Sequence, residues 1–298
     1  MTVRSPASGD GRTVARIRFE YRSPRDLDEL LVVLHNRTAE ARLLAGGMAL
    51  LPSLSSGSVQ HAVVLDLRRV SGLADMSESD EGLLIGPMVT HQRILDAPWT
   101  AMLEETARGI GDHGVRGWGT VGGSVAEAHP ASDWAAVLIA VRASLTCRSH
   151  EGVRTVAARE FFRGPFGTAL EPHEVLIGVR LPGKAPGGGA AYLKIVRGGD
   201  GFAAAGVAAR LRVEGGVITE AGIGLTAVPS PMAAPAAERA LVGREPTDDT
   251  FARAGVAAAG ESGPTDDAYG SSDAKRTMVR ELTVQVLQTA HRRAISTF

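Results

Sequence analysis

Apolar positions along the chain switch repeatedly between a period of two and a period near 3.6. Residues 16–21 alternate and read as a short strand; Ser23-Pro24 then opens a helix over 26–36, with Leu27, Leu30, Leu31 and Leu34 at helical spacing. Short apolar runs at 41–45, 63–67 and 83–86 predict buried strands. Residues 91–110 are helical in pattern, with breaks at Pro98 and Gly109, and the glycine-dense stretch 111–123 is expected to be a loop. Residues 133–141 predict an apolar helix and 144–148 a strand.

The second half has a different texture. Residues 153–156, 175–181, 192–196, 204–213 and 217–225 look like successive strands, and Gly215-Gly216 fits a two-residue hairpin turn between the last two. Helical patterns follow at 235–241, 250–259 and 273 to about 295. The run PGKAPGGG (182–189) is expected to be a flexible, exposed connector with nothing to bury. Residues 1–15 are polar and predicted to be a disordered leader. The class is α+β, not a repeating βαβ chain, with domains expected at 16–183 and 184–298.

Composition narrows the function. The chain has 298 residues, 32 Lys+Arg against 33 Asp+Glu, and 4% aromatics, so it has no electrostatic footprint or stacking platform for nucleic acid. Its single cysteine, Cys147, excludes a disulfide framework and any iron–sulfur cluster ligated by this chain alone. Cys147 itself, on a predicted strand, reads as an inert buried thiol. No apolar run approaches the 18 or so residues of a membrane span, and the first residues lack the apolar core of a signal peptide, so the expected compartment is the cytoplasm.

The 36 glycines exceed average usage of about 7% and include two pairs beside hydroxyl residues or short strands. These are AGGMA (45–49) and TVGGS (120–124). Glycine permits positive φ and close backbone approach, and successive exposed N–H groups make an anion nest suited to a pyrophosphate. Neither pair is a G-x-G-x-x-G or P-loop fingerprint, and two tight turns explain each pair equally well. His113, His129 and His173 lack metal-ligand spacing. His91 reads as a surface or capping group, Asp133 or Ser132 as the cap of the 133–141 helix, and Glu104-Glu105 and Asp248-Asp249 as solvated faces. Lys194 on its strand faces either solvent or a site. The basic side of the last helix suits its own C-terminus or a partner.

The order of segments carries more. ARLLAGGMALLPSL (41–54), LLIGPMVTHQRI (83–94), VRGWGTVGGSVAEAHPASDWAAVLIAV (115–141), FFRGPFGTALEPHEVLIGVRLP (161–182) and YLKIVRGGDGFAAAGVAARL (192–211) occur in one sequence. Together they resemble the FAD-binding medium subunits of molybdenum hydroxylases, the carbon monoxide dehydrogenase and xanthine dehydrogenase family. The resemblance implies a PCMH-type FAD-binding domain of two α/β subdomains, followed by a C-terminal domain of antiparallel sheet plus helices. It implies FAD as cofactor, with the pyrophosphate held by Ala45, Gly46, Gly47, Met48 and Ala49 and by Thr120, Val121, Gly122, Gly123 and Ser124. It further implies Asp133 on the adenosine side, Glu174, Val175 and Leu176 packing on the adenine, Ile110 and Gly111 lining the flavin, and Lys194 and Phe202 near the isoalloxazine.

This sequence departs from the family pattern at Ala49 (usually serine), Ser124 (asparagine), His129 (aspartate) and the order Asp200-Gly201-Phe202. The implied function is electron transfer from an iron–sulfur subunit through FAD to an acceptor, with substrate oxidised on a molybdopterin subunit. Two alternatives are a stand-alone flavoenzyme acting on a small organic substrate, and a flavin-free scaffolding subunit.

Overall fold

The structure, a computed structural model, describes residues 19–57, 63–197 and 201–296. The expected leader, residues 1–15, lies outside them.

A small parallel sheet comes first. Strands β1 (Glu20–Arg22), β2 (Ala41–Leu44) and β3 (Val63–Asp66) lie in the order β1-β3-β2, with α1 (Leu27–Asn36) and α2 (Leu50–Ser55) in the connections. The first helix matches the expected 26–36, with Asp26 as its cap accepting a hydrogen bond from the Glu29 N–H. Its stripe of Leu30, Leu31 and Leu34 is buried against Val63 and Leu65.

The second layer begins with the hairpin β4 (Met76–Ser79) and β5 (Gly82–Ile85). Five helices follow: α3 (His91–Asp96), α4 (Ala101–Gly109), α5 (His113–Trp118), α6 (Val121–Glu127) and α7 (Asp133–Ala140). Strands β6 (Ser144–Arg148) and β7 (Val153–Ala157), helix α8 (Ala158–Phe161) and strand β8 (Val175–Pro182) complete an antiparallel sheet ordered β4-β5-β8-β6-β7. The glycine-dense stretch 111–123 is therefore largely helical, not a loop. Side-chain caps outweigh glycine's poor propensity: Asp112 accepts from the Val115 N–H at 2.8 Å and Thr120 from the Gly123 N–H at 3.0 Å.

A third, antiparallel sheet is formed by β9 (Gly188–Val196), β10 (Ala203–Glu214), β11 (Val217–Thr226) and β12 (Met232–Ala233), in the order β12-β11-β10-β9. Helices α9 (Pro235–Leu241), α10 (Asp248–Ser262) and α11 (Ser272–Ile295) follow, and their apolar residues share a core with the inner face of this sheet. Gly215 and Gly216 take φ of 58° and 79°, as a two-residue hairpin turn requires. The PGKAPGGG run is not simply a free connector. Gly188 and Gly189 belong to β9, and a Cβ on Gly189 would stand 2.0 Å from the Ala290 carbonyl oxygen of α11. The missing side chain is what lets the long helix lie on the strand.

One helix ties the layers together. Every residue of α7 is buried, and it is apolar on all sides after Asp133. Gly222 and Gly224 of β11 admit its backbone: a Cβ on either would come within 2.0 Å of the Ala140 or Ala136 carbonyl oxygen. The first residue of α7, Asp133, is thereby fixed where the three layers meet.

Candidate functional site

Between the parallel sheet, α6 and the β9–β10 connection lies a cavity of about 690 Å³, within the 300–1,000 Å³ typical of ligand sites. Both glycine pairs line it. They also touch each other: a Cβ on Gly46 would stand 2.9 Å from the Gly119 Cα, and one on Gly123 3.5 Å from the Ala45 Cβ.

The two loops offer different chemistry. After β2 the chain turns at Gly47 (φ 79°) into α2, and the cap position is Ala49, which has no side-chain oxygen. No described residue accepts a hydrogen bond from the N–H groups of Gly46, Gly47, Met48 or Ala49. That run of open donors is an anion nest. The second loop does not supply one. Val121 N–H donates to the Val89 carbonyl and Gly122 N–H to that of Pro87, both at 2.9 Å. Gly123 and Ser124 N–H both return to Thr120, at 3.0 Å each. The Ser124 hydroxyl pairs with that of Ser132 at 3.1 Å. Val121 is core and does not line the cavity, whereas Thr120, Gly122, Gly123 and Ser124 form its wall.

At one end of the cavity are Leu34, Leu67, Glu174, Val175 and Leu176. Arg154 grips both Glu174 oxygens at 2.6 Å, which holds this carboxyl below its usual range despite the cost of burial. At the other end are Ile110, Gly111, Gly201 and Phe202. Arg116 donates to the Ile110 and Gly111 carbonyls at 3.1 and 2.9 Å, and a Cβ on Gly201 would lie 3.0 Å from the Gly111 nitrogen. His129 stacks on Phe202 with centroids 4.5 Å apart and meets the edge of Phe166 at 5.2 Å.

Asp133 lines the cavity and faces Lys194. Lys194 does not line the cavity; its Nζ donates to Asp133 Oδ2 at 2.7 Å and to the Gly201 carbonyl at 2.8 Å. Tyr192 donates its hydroxyl to Asp133 Oδ1. Burial raises the Asp133 carboxyl above its ordinary value, although Lys194 and Tyr192 both pull it down. Ser132 occupies the N-cap position of α7 without a side-chain capping bond, and Asp133 is the first residue of the helix.

Other expectations change in the structure. His91 is neither at the surface nor a cap: it is 3% exposed, and its Nδ1 accepts from Trp134 Nε1 at 3.1 Å. Burial, with the nearby Arg116 charge, pulls its imidazole down to about 4. Glu105 is not a solvated carboxylate either, because it receives Arg293 of α11 and the Tyr192 N–H. Cys147 is fully buried, with its thiol pushed up to about 11 by burial. Among the described residues no His, Cys, Asp and Glu cluster suits a metal ion.

Comparison with known proteins gives this geometry its context. Residues 17–184 match the family described as the FAD binding domain in molybdopterin dehydrogenase, and residues 190–290 match the CO dehydrogenase flavoprotein C-terminal domain. The carbon monoxide dehydrogenase medium chain of Hydrogenophaga pseudoflava is 33% identical over 278 residues, covering 92% of this chain and 97% of its own. The nicotine 6-hydroxylase medium subunit of Paenarthrobacter nicotinovorans is 31% identical, covering 89% and 94%. Among solved structures, carbon monoxide dehydrogenase from Hydrogenophaga pseudoflava superposes with a TM-score of 0.89 at 35% identity, covering 93% of this chain and 98% of that one. Quinoline 2-oxidoreductase from Pseudomonas putida 86 gives 0.86 at 33%, with the same coverage. The chain belongs to the FAD-binding medium-subunit family of the molybdenum hydroxylases. Its cofactor is FAD, and the open donors and the size of the cavity fit that group.

Proposed function

We propose that this chain is the electron-transfer subunit of a molybdenum hydroxylase complex, partnered by an iron–sulfur subunit and a molybdopterin subunit. When bound, FAD supplies the electron-transfer chemistry between the iron–sulfur partner and an acceptor. The chain's residues bind, orient and shield. The N–H groups of Gly46, Gly47, Met48 and Ala49 take the pyrophosphate, and Thr120, Gly122, Gly123 and Ser124 shape the adjoining wall. Leu176, with Glu174 and Val175, receives the adenine. Ile110, Gly111 and Phe202 border the isoalloxazine. Asp133 borders the cavity itself, and Lys194, held by Asp133, acts on that border indirectly through the Gly201 carbonyl.

The domain assignment we adopt is 16–183 for FAD binding and 184–298 for the C-terminal domain, supported by the change of sheet between β8 and β9. The cytoplasm is the compartment we propose, supported by the single cysteine, a free thiol in the core. Among the described residues no helix is long and apolar enough to cross a membrane.

One observation carries the reading: a row of backbone donors with no acceptor among the described residues borders the cavity. Its test is Gly47→Val. At φ 79° a β-branched residue is strained, and its Cβ would stand 2.8 Å from Leu51 Cδ1, so the nest must reshape. We expect FAD content after desalting to fall at least tenfold with the far-UV circular dichroism unchanged. Full FAD retention would show that the pyrophosphate lies elsewhere.

A further inference from the structure

His91 lines the cavity from α3, 97% shielded from solvent by the count of its 3% exposure. Its two ring nitrogens are not equivalent. Trp134 Nε1–H can only donate, and it points at Nδ1 at 3.1 Å, so Nδ1 carries a lone pair and the ring proton of the neutral imidazole sits on Nε2. No described residue accepts a hydrogen bond from that Nε2–H.

The position of this edge is informative. A Cβ on Gly119 would lie 2.9 Å from both His91 Nε2 and Cδ2, so the ring reaches the cavity wall only because residue 119 is glycine. The Gly119 Cα is in turn 2.9 Å from where a Gly46 Cβ would be. The Gly119 backbone thus touches both the imidazole donor edge and the first glycine loop, and His91, Gly46 and Gly47 line the same cavity. The His91 N–H donates to the Gly119 carbonyl at 3.0 Å, which pins the backbone of the two segments together. The residue lines the cavity, and its Nε2 is not among the buried unpaired side-chain atoms of the described residues, so this donor is open to a ligand oxygen.

We infer that His91 is a binding residue of the cofactor site: a neutral donor whose Nε2–H, fixed in that tautomer by Trp134, serves an oxygen of the FAD pyrophosphate or the adjoining ribityl chain. This assignment rests on the reading of the cavity given above. It adds an uncharged side-chain donor to a cradle otherwise made of backbone. The low proton affinity of the ring, about 4, agrees with a neutral role.

Two substitutions separate binding from support. His91→Asn keeps a short acceptor for Trp134 Nε1–H and loses the reach of Nε2; His91→Gln keeps a donor near the Nε2 position and loses the acceptor. Each is tested in the full chain, stripped of flavin and titrated with FAD, alongside the melting temperature of the flavin-free form. The expected result is an FAD Kd about tenfold higher for His91→Asn and within about twofold of wild type for His91→Gln, with the order reversed in melting temperature. Wild-type affinity in His91→Asn, or equal loss of affinity in both variants, overturns the inference.

A measurement on the unaltered chain guards against misfolding of the variants. With ¹⁵N-labelled histidine, FAD addition is expected to shift the His91 Nε2–H resonance and slow its exchange with water. A bound flavin that leaves that resonance unmoved overturns the inference. A wild-type chain that takes up no FAD overturns the site reading itself, which is a different result.

Discussion

Asp133 and Lys194 are 5% and 7% exposed at the side chain and bonded to each other at 2.7 Å, so the charge of each is answered inside the protein. The roles implied for them by family resemblance treat each as a separate contact to FAD. What the sequence does not carry is that residues 61 positions apart meet, because only the fold brings the start of α7 under β9. The same holds for His91 and Trp134, separated by 43 positions: a histidine at a helix start looks like a cap until its partner is in place. Breaking the buried pair has a definite cost. Lys194→Met leaves Asp133 buried without its cation, and about 3 kcal/mol should be lost in denaturant unfolding. Adding Asp133→Asn should recover most of it; a double variant as unstable as the single one would mean that the pair is not coupled.

At the scale of elements, periodicity found most strands and the long helices, since these bury a regular stripe. It failed where glycine served packing or a capped turn rather than a loop. Residues 113–118 and 121–127 are helical because Asp112 and Thr120 cap them, and the sequence shows the caps as readily as the glycines. The close contacts of Gly189, Gly222 and Gly224 with helix backbones are legible only in three dimensions. Two glycine-to-alanine changes separate these uses. Gly224→Ala puts a methyl 2.0 Å from the Ala136 carbonyl oxygen and should lower stability by about 1–3 kcal/mol, with a lower melting temperature. Gly117→Ala in α5 meets nothing within 4 Å and should be neutral or stabilising by up to about 1 kcal/mol. Equal melting temperatures for the two would contradict the packing of α7 on β11.

Over the whole molecule, three sheets converge on one cavity, and the ordered segments that suggested a medium subunit were legible before the fold was known. Less legible was the division of labour between the glycine pairs. Sequence treats AGGMA and TVGGS alike, but the donors of the second are consumed by Val89, Pro87 and Thr120, leaving the first as the open cradle. The departures from the family pattern also take on physical meaning here: Ala49 leaves the α2 entry without a side-chain cap, and His129 contributes a ring stacked on Phe202. None of these changes closes the cavity. The most direct test of the whole account is the visible absorbance of the full chain after incubation with FAD and removal of free flavin. The account predicts flavin bands corresponding to about one FAD per chain; a colourless protein that retains no flavin would contradict it.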